Sequence, residues 1–201
     1  KTGHGPACKQ SDINALMVKL AREGRRVVRL KGGDPLVFAR ATEEIEACRV
    51  AGIAATIVPG ISAAQGAASD LGVPLTGRGR ARRVQFVTAH AKDGSLPDLD
   101  WRSLADPDVT TAVYMPRGHL AALVEKIIAA GLSPDTPAAA VVNATRESRR
   151  SIVTTVRALP AVATTLPSEG PLMVLIGAAL DEVAQRQGRD PSSHRMLQHA
   201  G

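Results

Sequence analysis

Arg26-Val-Val-Arg-Leu-Lys31 is a short β-branched run that stops abruptly at Gly32-Gly33-Asp34-Pro35, and this arrest constrains the fold more than any other feature of the chain. Such a run favours a strand, whereas two glycines and a proline cannot continue one. The flanking segments carry helical periodicity. Ile13, Leu16, Met17 and Leu20 recur at helical spacing across 11–23, with Ser11 or Asp12 available as N-cap and Gly24 as the stop. A second helix is predicted over 42–51. A buried strand over 54–58 is then stopped by Pro59-Gly60, after which Ser62 and Gln65 have capping-box spacing at the head of another helix. The order is βαβα, which predicts an α/β fold.

The texture changes at 73–82, VPLTGRGRAR, where proline, glycine and arginine replace any apolar period. This predicts a remainder of an N-terminal α/β domain over 1–74, a linker over 75–82 and a C-terminal α/β domain over 83–184, followed by a loose polar tail over 185–201. Strands are expected at 83–89, 109–115, 138–143, 151–155 and 171–176, with a polar loop leading to Trp101 and a helix over 119–130. The last strands lie too close together for helical crossovers, so the mainly parallel sheet is expected to become mixed.

Composition narrows the chemistry. Aromatic residues make up 2% of the 201 residues, leaving little ring surface on which bases could stack. The net charge of +6 favours an anionic partner. Cys8 and Cys48 form no Cys-x-x-Cys spacing, and the histidines show no metal-ligand spacing, so neither a disulfide framework nor a metal site is expected. The cysteine usage fits a reducing cytoplasm. No apolar run has the length of a membrane span.

In α/β proteins ligands bind beyond the carboxyl ends of strands, which selects the loops after Lys31, Val58 and Met115. Gly32 and Gly33 allow close approach to bare backbone amides, and the Asp34 carboxylate accepts hydrogen bonds from an amine or hydroxyl. The Pro59-Gly60 segment delivers a helix N-terminus beside small side chains. Arg78, Arg80, Arg82 and Arg83, and separately Arg146, Arg149 and Arg150, offer paired donors to carboxylates or phosphates. Each feature alone also fits an ordinary turn, a capped helix or a solvated loop.

Taken in order, VVRLKGGDPLVFAR (27–40), IVPGISAA (57–64), GVPLT (72–76), VQFVTAH (84–90), AVYM (112–115), VVNATRESRR (141–150) and PLMVLIG (171–177) resemble the tetrapyrrole methylase family. Within it they resemble the uroporphyrinogen-III C-methyltransferase branch, which also forms the C-terminal module of siroheme synthases. The resemblance runs from Lys1 to about Leu180. It implies two α/β domains with a cofactor cleft between them, and binding of S-adenosylmethionine by Gly32, Gly33, Asp34, Val37, Ser62, Ala63, Met115 and Ala144. It places Lys1 on the family's proton donor. It also implies two methylations of uroporphyrinogen III, at C2 and C7, yielding precorrin-2 and S-adenosylhomocysteine, with no metal.

The substrate's eight carboxylates would meet Arg78, Arg80, Arg146 and Arg149. A homodimer is implied, with no nucleic-acid or membrane partner, and the product serves siroheme or cobalamin synthesis. The family's first glycine-rich loop, Gly-x-Gly-Pro-Gly-Asp, has no counterpart here, so the N-terminal part of the fold is expected to be missing. Tyr114-Met115-Pro116 stands where the family has Tyr-Met-Gly, and Thr76-Gly77-Arg78 where it often has Thr-His-Arg. Methylation of another precorrin or of RNA by the same fold, and a non-catalytic truncated remnant, are the alternatives.

Overall fold

The computed structural model describes residues 8–189, and Lys1 therefore lies outside the described residues. These residues divide into two compact units between Ser62 and Ala63. The first holds helices α1 (Gln10–Arg22) and α2 (Ala41–Val50), which pack on one another. Helix α1 starts one residue before the expected caps. Lys9 is its N-cap without a side-chain bond, and Asp12 falls in the first turn, where its charge favours the helix dipole. Gln10 and Asn14 reach across from α1 to the Glu44 side chain and the Glu43 carbonyl.

The two strands expected at 26–31 and 54–58 do not form. A strand exists only through its ladder, and among the described residues neither segment has a pairing partner. Their apolar side chains stay in water: Val28 is 78% exposed, Leu30 82% and Val58 76%.

The second unit carries a five-stranded sheet in the order β1-β2-β5-β3-β4, built from Arg83–Thr88, Val109–Tyr114, Leu172–Ile176, Pro137–Val142 and Arg150–Thr155 for β1, β2, β5, β3 and β4 respectively. The sheet is mixed. β1 and β2 run parallel, with Val87 opposite Val113, while β5 lies antiparallel between β2 and β3, with Val174 opposite both Val113 and Ala140. β4 closes the sheet antiparallel to β3. These directions bring the carboxyl ends of β1, β2 and β3 to one edge.

Burial follows composition. The central strands β2 and β5 are apolar or threonine throughout and are buried at every position, whereas β1 and β4 are partly exposed edge strands. Val113, Ala138, Ala140, Val142, Val174 and Ile176 face helices α5 (Leu120–Ala129) and α6 (Leu159–Thr165), whose Leu123, Ile127 and Leu159 complete the main aliphatic core. Helix α3 (Ala63–Leu71) packs against β5, and the Ala64 amide donates to the Tyr114 hydroxyl.

Two helices arise where none was expected. The short α4 (Trp101–Leu104) is capped by the Asp100 carboxylate, which accepts the Ser103 amide at 3.1 Å. Helix α7 (Asp181–Arg189) occupies the first part of the expected polar tail, with Asp181 and Glu182 in its first turn suiting the dipole; the rest of that tail lies outside the described residues. No helix among the described residues is long and apolar enough to cross a membrane.

Candidate cofactor site

In the first unit, the Gly-Gly-Asp loop is tied to the Pro-Gly loop by one carboxylate. Asp34 Oδ2 accepts the Gly60 amide at 3.0 Å and Oδ1 accepts the Leu36 amide at 2.8 Å. The Gly60 bond, and then that from Leu36, hold the Asp34 carboxyl below its ordinary range, because both stabilise the ionised form. A side chain at position 60 would put its Cβ 3.0 Å from the Gly33 carbonyl oxygen, so the two loops meet as closely as they do because Gly60 has none. Nothing lies within 4 Å of the place where a Cβ on Gly32 would stand, leaving backbone open to a ligand there. Val37 is half-buried, with its amide directed to the Asp34 carbonyl.

Behind this loop stands a group that sequence reasoning missed. Lys31 Nζ meets Glu44 Oε2 at 2.6 Å and donates to the Ala39 carbonyl. Arg29 and Gln10 both donate to Glu44 Oε1, at 3.1 and 2.9 Å. Burial pushes the Glu44 carboxyl up, but the hydrogen bonds from Lys31 and Gln10 and the charges of Lys31 and Arg29 outweigh it and leave the group below its ordinary value. The Lys31 ammonium thus ties both ends of the 32–39 loop to α2. The available signal was a lysine ending an apolar run, which reads equally as a solvated charge.

In the second unit, three predicted residues gather at the edge formed by the strand ends. Met115 follows β2 with φ 54° and a side chain region left open, the residue being 47% exposed. Asn143 and Thr145 follow β3 with φ 54° and 65°, and Ala144 lies between them. Left-handed backbone at non-glycine residues is uncommon and concentrates at functional sites. The N-terminal part of α3, with Ala63, sits against both loops: Ala64 is bonded to Tyr114, and a Cβ on Gly66 would stand 2.9 Å from Thr145 Cγ2 and 4.0 Å from Ala144 Cβ. Ser62, just before α3, is buried.

The arginines are placed differently from one another. Arg78 and Arg80 line a cleft of about 210 Å³ with Gly72, Val73, Ala179 and Val183, and Arg80 meets Glu182 at 3.4 Å. Arg149 is directed to Asp70, whereas the exposed Arg146 has its amide bonded to the Asn143 carbonyl. Among the described residues no three of His, Cys, Asp and Glu gather as a metal site would need.

Each unit by itself carries features that suit a sulfonium nucleoside of amino-acid type. Exposed backbone around Gly32 suits its polar groups, the small residues of α3 admit close approach, and the open Met115 thioether offers a polarisable surface for a purine.

The chain has relatives among curated proteins. A siroheme synthase from Chromobacterium violaceum is 45% identical over 87% of this chain and 37% of its own length, and one from Gluconacetobacter diazotrophicus is 48% identical over 84% and 36%. The chain thus spans little more than a third of the curated relatives it matches. Among solved structures, uroporphyrin-III C-methyltransferase from Thermus thermophilus complexed with S-adenosylhomocysteine superposes with a TM-score of 0.73 at 28% identity, covering 86% of this chain and 75% of that one. A cobalt precorrin-4 methyltransferase superposes with a TM-score of 0.78 at 27% identity, covering 87% and 73%. The sequence pattern of the Tetrapyrrole (Corrin/Porphyrin) Methylases matches residues 2–160, and the chain belongs to that family.

Proposed function

We propose that this chain carries out S-adenosylmethionine-dependent C-methylation of uroporphyrinogen III at C2 and C7, forming precorrin-2 for siroheme or cobalamin synthesis. The observation that carries the reading is the Asp34–Gly60 bond, which brings together two loops singled out independently in the sequence. By the family resemblance Gly32, Gly33, Asp34, Val37, Ser62, Ala63, Met115 and Ala144 hold the cofactor. When bound, that cofactor supplies an electrophilic methyl group on a sulfonium. The protein's share is to orient the pyrrole carbon towards that methyl and to exclude water. Arg78, Arg80 and Arg146 take substrate carboxylates, and Lys1 is the proton donor. Arg149 belongs with these arginines by sequence, although its guanidinium is directed to Asp70.

The same reading includes a homodimer and a cytoplasmic location, and assigns no step to a metal. It keeps residues 75–82 as the joint of the two domains, although the compact units divide earlier because α3 packs with β5. A second reading, methylation of another precorrin, draws on the likeness to the cobalt precorrin-4 methyltransferase.

Calorimetric titration with S-adenosylhomocysteine, followed by incubation with uroporphyrinogen III and labelled S-adenosylmethionine, tests the proposal. Binding and transfer of two methyl groups per substrate are expected. Binding with transfer only to a later precorrin would establish the second reading, and no binding would remove both.

A further inference from the structure

We propose that Asp70 is a positioning residue whose carboxylate fixes the 143–149 loop and so presents the Ala144 backbone to the cofactor, with Arg149 acting through Asp70 rather than on substrate. The inference rests on the cofactor reading above.

Asp70 lies in the last turn of α3, 75 residues before Thr145 in the chain. Its Oδ2 accepts the Thr145 amide at 2.7 Å and its Oδ1 accepts from Arg149 Nη1 at 2.8 Å. The Asp70 and Arg149 side chains are only 11% and 24% exposed, so water competes weakly for the bond between them, while the Thr145 amide lies nearer the surface. One carboxylate therefore spans the loop, gripping its middle and its end from a helix.

The loop needs such a grip. Asn143 and Thr145, on either side of Ala144, both sit in the left-handed region that side chains with a Cβ avoid. Left to itself the backbone would relax towards ordinary angles and turn the Ala144 peptide groups away. Several further ties are neutral: Asn143 Nδ2 to Ser148 Oγ at 3.1 Å, the Asn143 amide to the Pro171 carbonyl at 3.0 Å, the Arg146 amide to the Asn143 carbonyl at 3.1 Å and the Arg149 amide to the Arg146 carbonyl at 2.9 Å. Asp70 supplies the charge-assisted contact, and it reaches the loop from the helix whose first turn carries Ala63.

The roles differ in what they move. A substrate-binding Arg149 would set the KM for uroporphyrinogen III, while a brace acting through Asp70 would set the affinity for S-adenosylhomocysteine. The test measures both on the full chain for Asp70→Asn, Arg149→Gln and the double variant, with hydrogen exchange at the Thr145 amide and thermal melting alongside. Each single variant is expected to weaken S-adenosylhomocysteine about tenfold and to speed exchange at Thr145, the double variant being little worse than either alone. Arg149→Lys, which keeps the charge without the planar fork, should recover part of the affinity.

If Asp70→Asn fails to fold, Arg149→Gln carries the comparison. Native affinity in the variants, or a raised uroporphyrinogen KM with unchanged cofactor affinity in Arg149→Gln, would overturn the proposal while leaving the cofactor reading intact. Failure of the unmutated chain to bind S-adenosylhomocysteine would overturn both.

Discussion

The Gly60 amide donates to the Asp34 carboxylate at 3.0 Å, a bond that joins the ends of two apolar runs and sets one loop against the other. Asp34 is therefore occupied on both oxygens, by Gly60 and by Leu36, and its first task is to shape the loop that carries Gly32 and Gly33.

Asp34→Ala is expected to abolish S-adenosylhomocysteine binding in calorimetry while leaving the far-ultraviolet circular dichroism of the fold unchanged. The pH dependence has a definite sign. The folded carboxyl titrates below its ordinary value of 3.8, so its contribution is complete above that value and is lost as the pH falls through the lower folded one. Loop order and binding should persist through mildly acidic solution; a loss of binding centred between pH 5 and 7, on the order of the histidine range, would contradict the role given to Asp34.

Glu44 offers a stability test confined to the first unit. Its side chain is 6% exposed and the Lys31 side chain 10%, so Glu44→Ala strands a buried ammonium and should cost about 3 kcal/mol in urea unfolding. Glu44→Gln keeps an acceptor for Gln10 and should cost less. With its carboxyl held below the ordinary value of 4.5, the stabilisation is present above that pH and fades as acid carries the group through its lower folded value. The stability gap between the unmutated chain and Glu44→Gln should narrow in that window and nowhere above it.

These pairs show where sequence reading reached and where it stopped. Helices α1, α2 and α5 were legible because their apolar residues keep a helical period, and β2 and β5 because continuous apolar runs bounded by turns mark buried strands. The runs at 26–31 and 54–58 looked just as strand-like. Propensity describes a preference for a pleated, half-buried surface, and neither run finds a partner to provide one among the described residues. The loops of the candidate site were legible because glycine and proline punctuate them. Lys31–Glu44, Asp34–Gly60 and Asp70–Arg149 were not, since each pair is set by how distant elements pack, and a lone Asp or Arg in sequence reads as a solvated charge.

Gly177, directly after β5, tests the sheet itself. A Cβ there would stand 2.8 Å from the Val109 carbonyl oxygen and 3.2 Å from Thr110 Cα, and φ is 137°. Both obstacles are backbone of the fully buried β2, which cannot rotate aside as a side-chain tip would. Gly177→Ala should therefore destabilise the chain by about 3 kcal/mol, read as a lower Tm, through overpacking and a strained torsion together.

Gly66 sets two effects of opposite sign against each other. In the interior of α3, replacing glycine by alanine gains about 1 kcal/mol of helix propensity. The new methyl would stand 2.9 Å from Thr145 Cγ2, and overpacking of this kind costs about 1–3 kcal/mol. Which effect wins depends on whether Thr145 can retreat. Its amide is held by Asp70 at 2.7 Å, so a backbone retreat would break a bond to a charged group, and the β-branched side chain is stiff at χ1, so the methyl does not turn aside freely. Gly66→Ala is therefore expected to lower the Tm and weaken S-adenosylhomocysteine. Because the clash falls on a single methyl group, Thr145→Ser in the same chain should remove it and release the helix gain, returning the Tm to at least its original value. A Gly66→Ala chain that melts higher than the original without that second change would show that the Thr145 methyl moves aside at less cost than the helix propensity gained.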